Sequence, residues 1–261
     1  MLSSSELAER LGVAMATARD AGALARSFLA DPSRLDVAIK GPQDIVTAAD
    51  AAVERLIIER LATAFPGDGF VGEEGARSNG EHLWVIDPID GTANFARDVP
   101  HWCVSIALVS GNTIELGVIY DPMRDALYSA QRDAGAFCNA RALRVATLTD
   151  LQHATFEVGY SPRTDAQSYG RCVTRLLLAG ANVLQFGSAA LGLAWVAAGR
   201  LDGYAERHLY AWDALAGLLL VSEAGGRVGP FLSAEALTAG NVTVAAAPAL
   251  YPALQSALIG D

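Results

Sequence analysis

Residues 84–95 read Trp84-Val85-Ile86-Asp87-Pro88-Ile89-Asp90-Gly91-Thr92-Ala93-Asn94-Phe95. The run 83–86 is short and wholly apolar, the pattern of a buried strand. Two aspartates follow it directly, with Pro88 between them and Gly91-Thr92 behind. Pro88 forces extended or turn geometry on Asp87 and removes a backbone donor. Gly91 lets the backbone approach a ligand closely. A helical turn beginning there would set free N–H groups beside two carboxylates. Carboxylates alone repel a phosphate, whereas carboxylates holding Mg²⁺ next to N–H donors bind one.

Upstream, residues 4–31 carry apolar positions at helical spacing (Leu7, Leu11, Ala14, Ala18, Ala21, Leu24, Phe28) and predict a long amphipathic helix. Thr47 reads as the N-cap of a second helix through Phe65, closed by Pro66-Gly67. Downstream, the runs CVSIALV, TIELGVIYD, ALYSAQ, GAFCN and LRVAT between residues 103 and 147 are separated by turn residues and predict antiparallel strands. Beyond residue 150 the pattern alternates: strand 154–158, helix 162–178, strand 183–186, helix 189–198, strand 204–206 and helix 211–223. A strand over 242–246 and a terminal helix from Pro248 complete the chain. An antiparallel half (1–148) holding most of the acids of interest is thus followed by a mixed α/β half (149–261) holding pocket segments. No Ser/Pro-rich linker divides them, so one compact unit of layered α and β structure, with the site at the junction, is expected.

The chain has 261 residues, enough for a large core, with 52% hydrophobic and 18% charged residues, which excludes a disordered chain. Net charge is −10, from 19 Lys+Arg against 29 Asp+Glu. There is no basic footprint for nucleic acid and no attraction to an anionic membrane. An anionic substrate would therefore need metal ions to neutralise it. Cys103, Cys138 and Cys172 are odd in number, lie far apart and form no CxxC pair, which suits a reducing, cytoplasmic compartment. The opening MLSSSELAER lacks the pattern of a signal peptide. The apolar stretch 183–199 is short and interrupted by Gln185, Ser188 and three glycines, so it reads as a buried core segment.

Other acids complete the picture. Gly72-Glu73-Glu74-Gly75 sets two acids in a glycine-flanked loop, Asp50 closes the run 44–50, and Asp213 stands at a predicted helix start after Trp212. Taken singly, the first is commonly solvated surface and the last a helix cap. In this order and spacing they resemble the inositol monophosphatase family. Its signature D…EE…DP(I/L)DGT…WD…GG is filled here by Asp50, Glu73-Glu74, residues 87–92, Trp212-Asp213 and Gly225-Gly226.

The resemblance implies an α/β (α+β) fold layered as an αβαβα sandwich and a Mg²⁺-dependent, lithium-sensitive phosphomonoesterase that forms a homodimer. It implies that Glu73, Asp87 and the carbonyl of Ile89 hold one Mg²⁺, and that Asp87, Asp90 and Asp213 hold a second. A third, weaker ion would sit near Glu73, and Mn²⁺ could replace Mg²⁺. Asp50 and the Thr92 hydroxyl would orient and deprotonate the attacking water, and the N–H groups of Gly91 and Thr92 would hold phosphate oxygens. Gly187-Ser188-Ala189 and Glu206, with Asp90 and Asp213, would face the substrate. Independently of any family, five acids with oxygen-only ligation favour Mg²⁺ or Mn²⁺ over zinc. Two departures stand out: Leu215 occupies a position usually held by alanine, and the loop 40–44, with Lys40, is one residue shorter than in animal members.

Competing chemistries fit less well. The DxDxT spacing of aspartyl-nucleophile phosphatases fails, since Asp87 and Asp90 are three apart, and Gly187-Ser188 lacks the GxSxG frame of a serine hydrolase. His82, His101, His153 and His208 form no HxxxH pair and read as surface or packing residues. Inositol monophosphate is the expected substrate. Histidinol phosphate, fructose 1,6-bisphosphate and 3′-phosphoadenosine 5′-phosphate are the alternatives, and a non-catalytic, partner-binding role is the reading from another class.

Overall fold

The computed structural model describes residues 2–31, 33, 35–41, 44–233 and 235–260. The side chains of residues 39–45 lie outside the described set, and with them the Lys40 loop. In chain order the elements are α1 (Ser4–Leu29), β1 (Ala38–Gly41), β2 (Asp44–Val46), α2 (Ala48–Ala64), β3 (Gly69–Gly72), β4 (Arg77–Ser78), β5 (His82–Asp90) and α3 (Thr92–Phe95). Next come β6 (Cys103–Ser110), β7 (Thr113–Asp121), β8 (Ala126–Gln131), β9 (Gly135–Cys138) and β10 (Arg141–Ala142). The second half adds β11 (Thr155–Val158), α4 (Ala166–Leu178), β12 (Asn182–Leu184), α5 (Ala189–Ala197) and β13 (Gly203–Leu209). Then follow α6 (Ala211–Glu223), β14 (Arg227–Val228), α7 (Ala236–Ala239), β15 (Asn241–Ala246) and α8 (Tyr251–Ile259).

These make five layers. Ser3 and Glu6 close a capping box that starts α1, and Thr47 and Asp50 close another that starts α2. The buried stripe of α1 (Ala14, Ala18, Ala21, Ala25) and that of α2 (Val53, Ile57, Leu61) pack with Trp84, Ile86, Ile106 and Val118 of the first sheet. That sheet has eight strands in the order β10-β9-β8-β7-β6-β5-β3-β4. Its other face, with Val85, Ala107 and Ile119, meets α5 and α6 in a core that also takes in Tyr204 and Ala245 of the second sheet. The second sheet runs β12-β11-β13-β15-β14, and its far face packs on α4 and α8 through Phe156, Val244, Leu176 and Leu254. The order αβαβα is the expected one, and burial on both faces explains why β5 is apolar without alternation.

The details differ from expectation at several places. The first sheet is antiparallel except where β3, absent from the sequence reading, pairs parallel with β5. Strand β5 runs on through both aspartates rather than stopping at Ile86. The run LRVAT forms no ladder; the Val145 N–H turns to the Ala224 carbonyl at the end of α6 as the chain leaves the first sheet. Helix α4 starts at Ala166 rather than at Pro162, because Asp165 caps it by accepting from Gln167 and Ser168 N–H at 3.1 and 3.0 Å. Strand β13 is longer than 204–206, β12 ends at Leu184, α5 at Ala197, and α8 starts only at Tyr251. The stretch 183–199 is β12 and buried α5, and among the described residues no helix is long and apolar enough to cross a membrane.

Helix α6 lies close against the first sheet at Gly117. A Cβ there would stand 2.6 Å from the Ala216 carbonyl oxygen and 2.9 Å from its Cα, both backbone atoms that cannot swing aside. Gly117→Ala is therefore expected to destabilise the chain by about 1–3 kcal/mol. Urea unfolding checks this, and an unchanged midpoint would show that the layers are not in that contact.

Candidate active site

In a regular strand, residues three apart point to opposite faces. Asp87 pairs with Ser105 and Asp90 with Cys103, so Pro88 and Ile89 together oppose Val104 alone. This bulge absorbs one residue and turns both aspartates to the same side, toward the junction of the sheets. Pro88, which has no N–H to offer a ladder, sits where the ladder is broken. Asp87 accepts the Ile89 N–H at 2.9 Å.

The parallel pairing of β3 with β5 brings the next acid alongside. Gly72 is level with Ile86, and the Glu73 N–H reaches the Ile86 carbonyl at 3.2 Å, so Glu73 emerges next to Asp87. The turn after β3 is held from below by Glu54 of α2, which accepts from Glu74 and Ala76 N–H at 2.9 and 3.2 Å. Asp213 enters on the first turn of α6. Asp87, Asp90 and Asp213 each present an oxygen within 4.8 Å of the others.

Asp90 is held across the layers. Its carboxylate accepts the Ser188 hydroxyl at 2.6 Å and the N–H groups of Ala190 and Ala189 at 2.8 and 3.3 Å, so it caps α5 from outside while Ser188 makes no cap of its own. Asn94 donates to the Phe186 and His101 carbonyls, both at 2.8 Å, and fixes the loop that precedes Gly187. Gly91 has φ of 97°, and a Cβ there would come within 3.1 Å of the His101 carbonyl oxygen. Asp50, fully buried, accepts from the Thr47 N–H and hydroxyl at 2.7 and 2.6 Å. The Thr92 hydroxyl lies 3.2 Å from Asp50 and 2.9 Å from the Ile89 carbonyl.

So many acids in one dry place disturb one another. Burial raises Glu73 well above the usual carboxylate range, and Asp213 raises it further. Burial, then Glu73, does the same to Asp87. Asp213 is pushed up to about 7 by burial and by Asp90. Burial lifts Asp50 to about 6 against the opposing hydrogen bonds of Thr47. Glu73 Oε2 is buried with no hydrogen-bond partner. An orphaned carboxylate oxygen beside three convergent ones is a donor set that fits a hard divalent cation.

An inner pocket is lined by Glu73, Asp87, Ile89, Asp90, Gly91, Thr92, Gly187, Ser188, Ala189, Glu206 and Asp213, all of them sequence-selected; Asp50 stands behind Thr92. Sequence reasoning missed Glu157 and Tyr204 on the same wall. Glu157 accepts the Phe186 N–H at 3.1 Å, its Oε2 has no partner, and burial lifts it to about 8. A charged residue inside the apolar run 154–158 was the available signal. Glu206, likewise raised to about 8 by burial, accepts from the Tyr204 hydroxyl and sits where a Cβ on Gly159 would have to be.

The model of the inositol monophosphatase family matches residues 6–259. The chain belongs to this family. It is 40% identical over 250 residues to the Nus factor SuhB of Xylella fastidiosa, covering 90% of this chain and 91% of that protein. It is 44% identical over 209 residues to the inositol-1-monophosphatase of Rhizobium meliloti, covering 78% of each. Among solved structures, the extragenic suppressor protein SuhB of Bartonella henselae matches with a TM-score of 0.88 at 36% identity, over 95% of this family member and 98% of that chain.

Proposed function

We propose that this chain hydrolyses a small phosphate monoester, inositol monophosphate first among them, in a Mg²⁺-loaded carboxylate site. The observation that carries the reading is the orphaned Glu73 Oε2 beside the convergent oxygens of Asp87, Asp90 and Asp213. On this reading Glu73, Asp87, Asp90, Asp213 and the Ile89 carbonyl hold the ions. When bound, Mg²⁺ supplies charge stabilisation to the transferring phosphoryl group and lowers the pKa of the attacking water.

The chain's own residues do the rest. The N–H groups of Gly91 and Thr92 hold phosphate oxygens at the start of α3. The Thr92 hydroxyl orients the water, and Asp50, 3.2 Å from that hydroxyl, takes the proton. At about 6, Asp50 is a stronger base than an exposed aspartate and is still ionised at neutral pH. As the water oxygen bonds to phosphorus, the ester P–O bond breaks; the departing alkoxide takes a proton from solvent water and leaves as the alcohol toward Ser188 and Glu206, which hold its hydroxyls, and Asp50 returns its proton to solvent.

The test is phosphate release from inositol 1-phosphate, fructose 1,6-bisphosphate, histidinol phosphate and 3′-phosphoadenosine 5′-phosphate, with and without Mg²⁺. Mg²⁺-dependent preference for inositol 1-phosphate is expected. Preference for another ester keeps the mechanism and changes the substrate. Relatives named Nus factor SuhB supply the competing, partner-binding reading. Release from none of the four by a folded protein would favour it.

A further inference from the structure

The link from β3 to β4, residues 72–77, carries Glu73 and is held by two side chains of opposite charge. Its N–H groups go to Glu54, buried on α2: Oε2 accepts from Glu74 at 2.9 Å and Oε1 from Ala76 at 3.2 Å. Its carbonyls go to Arg77, whose Nη1 donates to those of Gly72 and Ala76. The Gly72 N–H closes the turn on the Ala76 carbonyl at 2.9 Å. A Cβ on Gly72 would overlap the Glu54 carboxylate, so the glycine leaves the room that Glu54 fills. Hydrogen bonds to charged groups of this kind are roughly twice as strong as neutral ones.

Both clamping residues lead on to the other acids. Glu54 follows Asp50 by four residues on α2, so the two side chains stand on one face of the same helix. Arg77 lies over the Trp212 ring, 5.5 Å from its centroid, and that ring stacks on Tyr210 with centroids 4.5 Å apart and planes at 21°. Trp212 immediately precedes Asp213, and its carbonyl accepts the Ser105 hydroxyl at 2.9 Å. Ser105 is the residue opposite Asp87 in the β5–β6 ladder. The contacts close a ring: from Asp87 through Ser105 and Trp212 to Arg77, along the turn to Glu73, and back to β5 through the Glu73 N–H and the Ile86 carbonyl. Every link uses backbone, or side chains other than the converging carboxylates, so the frame does not take its shape from a cation.

We propose that Glu54 and Arg77 are positioning residues of the ion site, locking the turn 72–77 so that Glu73 stands at a fixed place beside Asp87 and Asp213. The proposal rests on the reading of Glu73 as an ion ligand. Acids gathered this closely repel one another, and an ion that must first draw them together binds more weakly than one that finds them held. Residues that orient ligands from outside a metal site change metal affinity by about 10–100-fold when replaced.

The experiment titrates the metal-free protein with Mn²⁺ alone and reads the electron paramagnetic resonance signal of the free ion, for the wild type, Glu54→Gln and Arg77→Met. Each variant is expected to bind Mn²⁺ about tenfold or more weakly. Gln at position 54 turns an amide N–H₂ against a turn N–H and loses one of the two bonds, while Met at 77 keeps the apolar stem and loses every donor. The Arg77 variant carries the decisive sign. Arg77 shares a cavity wall with Glu73 and Asp213, so removing its charge would by itself tighten cation binding, whereas loss of the clamp weakens it. A clamp that served folding alone would lower the metal-free Tm and leave Mn²⁺ affinity as it was. Circular dichroism and Tm in EDTA show that the variants are folded, and Arg77 is exposed, so its replacement spares the core. Unchanged or tighter Mn²⁺ binding by folded Arg77→Met, or unchanged binding by folded Glu54→Gln, would overturn the proposal and leave the carboxylate site standing. No binding by the wild type would remove the ion-site reading, and the clamp's role with it.

Discussion

Asp90→Asn is expected to lose about a thousandfold or more of Mg²⁺-dependent phosphate release while the protein stays folded. The two halves of this expectation come from the two jobs of one carboxylate. As an acceptor, Asp90 caps α5 through Ser188, Ala189 and Ala190. Asn keeps one acceptor oxygen in the same shape; placed where Oδ2 now accepts both the Ser188 hydroxyl and the Ala190 N–H, it gives up only the longer Ala189 bond, so the cap survives at a cost of about 1 kcal/mol. As an anion, Asp90 has no substitute. It is one of three acids converging within 4.8 Å, and the ion those acids would hold contributes several kcal/mol to the transition state, about 10³ in rate. Circular dichroism and phosphate release measured on the same preparation separate the two jobs. Wild-type rates at saturating Mg²⁺ would remove Asp90 from the ligand set.

The second large effect is on stability. Asp50 near 6, Asp213 near 7, and Glu157 and Glu206 near 8 all lie above the values of about 4 expected in an unfolded chain. The folded state therefore holds more protons than the unfolded one. The stability these groups contribute is complete below about pH 4 and is lost as pH rises through their folded values. Buried His101, lowered to about 4, acts with the opposite sign below about pH 6.5, so the acids are read cleanly above that. In EDTA, Tm is expected to fall by roughly 5–10 °C between pH 6.5 and 9. Millimolar Mg²⁺ should flatten part of that slope, since a cation among Asp87, Asp90, Asp213 and Glu73 offsets their repulsion. Glu157 and Glu206, farther along the wall, should keep the remainder. A metal-free Tm that is level or rises over this interval would contradict the burial of these acids.

The sequence made the acids legible because each stands beside a residue with a local signature. Pro88 and Gly91 mark the turn after a buried run, glycines flank Glu73-Glu74, and Thr47 announces the helix that carries Asp50. The layer order was legible because the hydrophobic period changes from 3.6 to 2 and then alternates. What stayed hidden is long-range. Nothing local says that Asp90 caps a helix a hundred residues on, or that β3, four residues long, pairs parallel with β5 and so delivers Glu73 to Asp87. Asp165 went unread as a cap because Pro162 offered an earlier helix start. Glu157 looked like one charge in a strand, and only the fold sets it against the loop before Ser188. Arg77 and Arg163 lie far apart in sequence and meet through the stacked rings of Tyr210 and Trp212.

The bulge in β5 has a consequence for how this chain can vary. A strand is a two-phase rotor: adding or removing one residue turns everything beyond it by half a revolution. Between Asp87 and Asp90 the phase is set by the two residues facing Val104, not by what their side chains are. Exchanging one apolar side chain for another at position 89 leaves the phase as it is. Deleting position 89 would remove the bulge itself: Asp87 and Asp90 would then stand two apart, a spacing at which a regular strand already points both to one face, and the Ile89 carbonyl would go while the facing stayed. At the present spacing of three, a strand without the bulge would aim Asp90 at α1 and α2, so spacing and bulge can change only together.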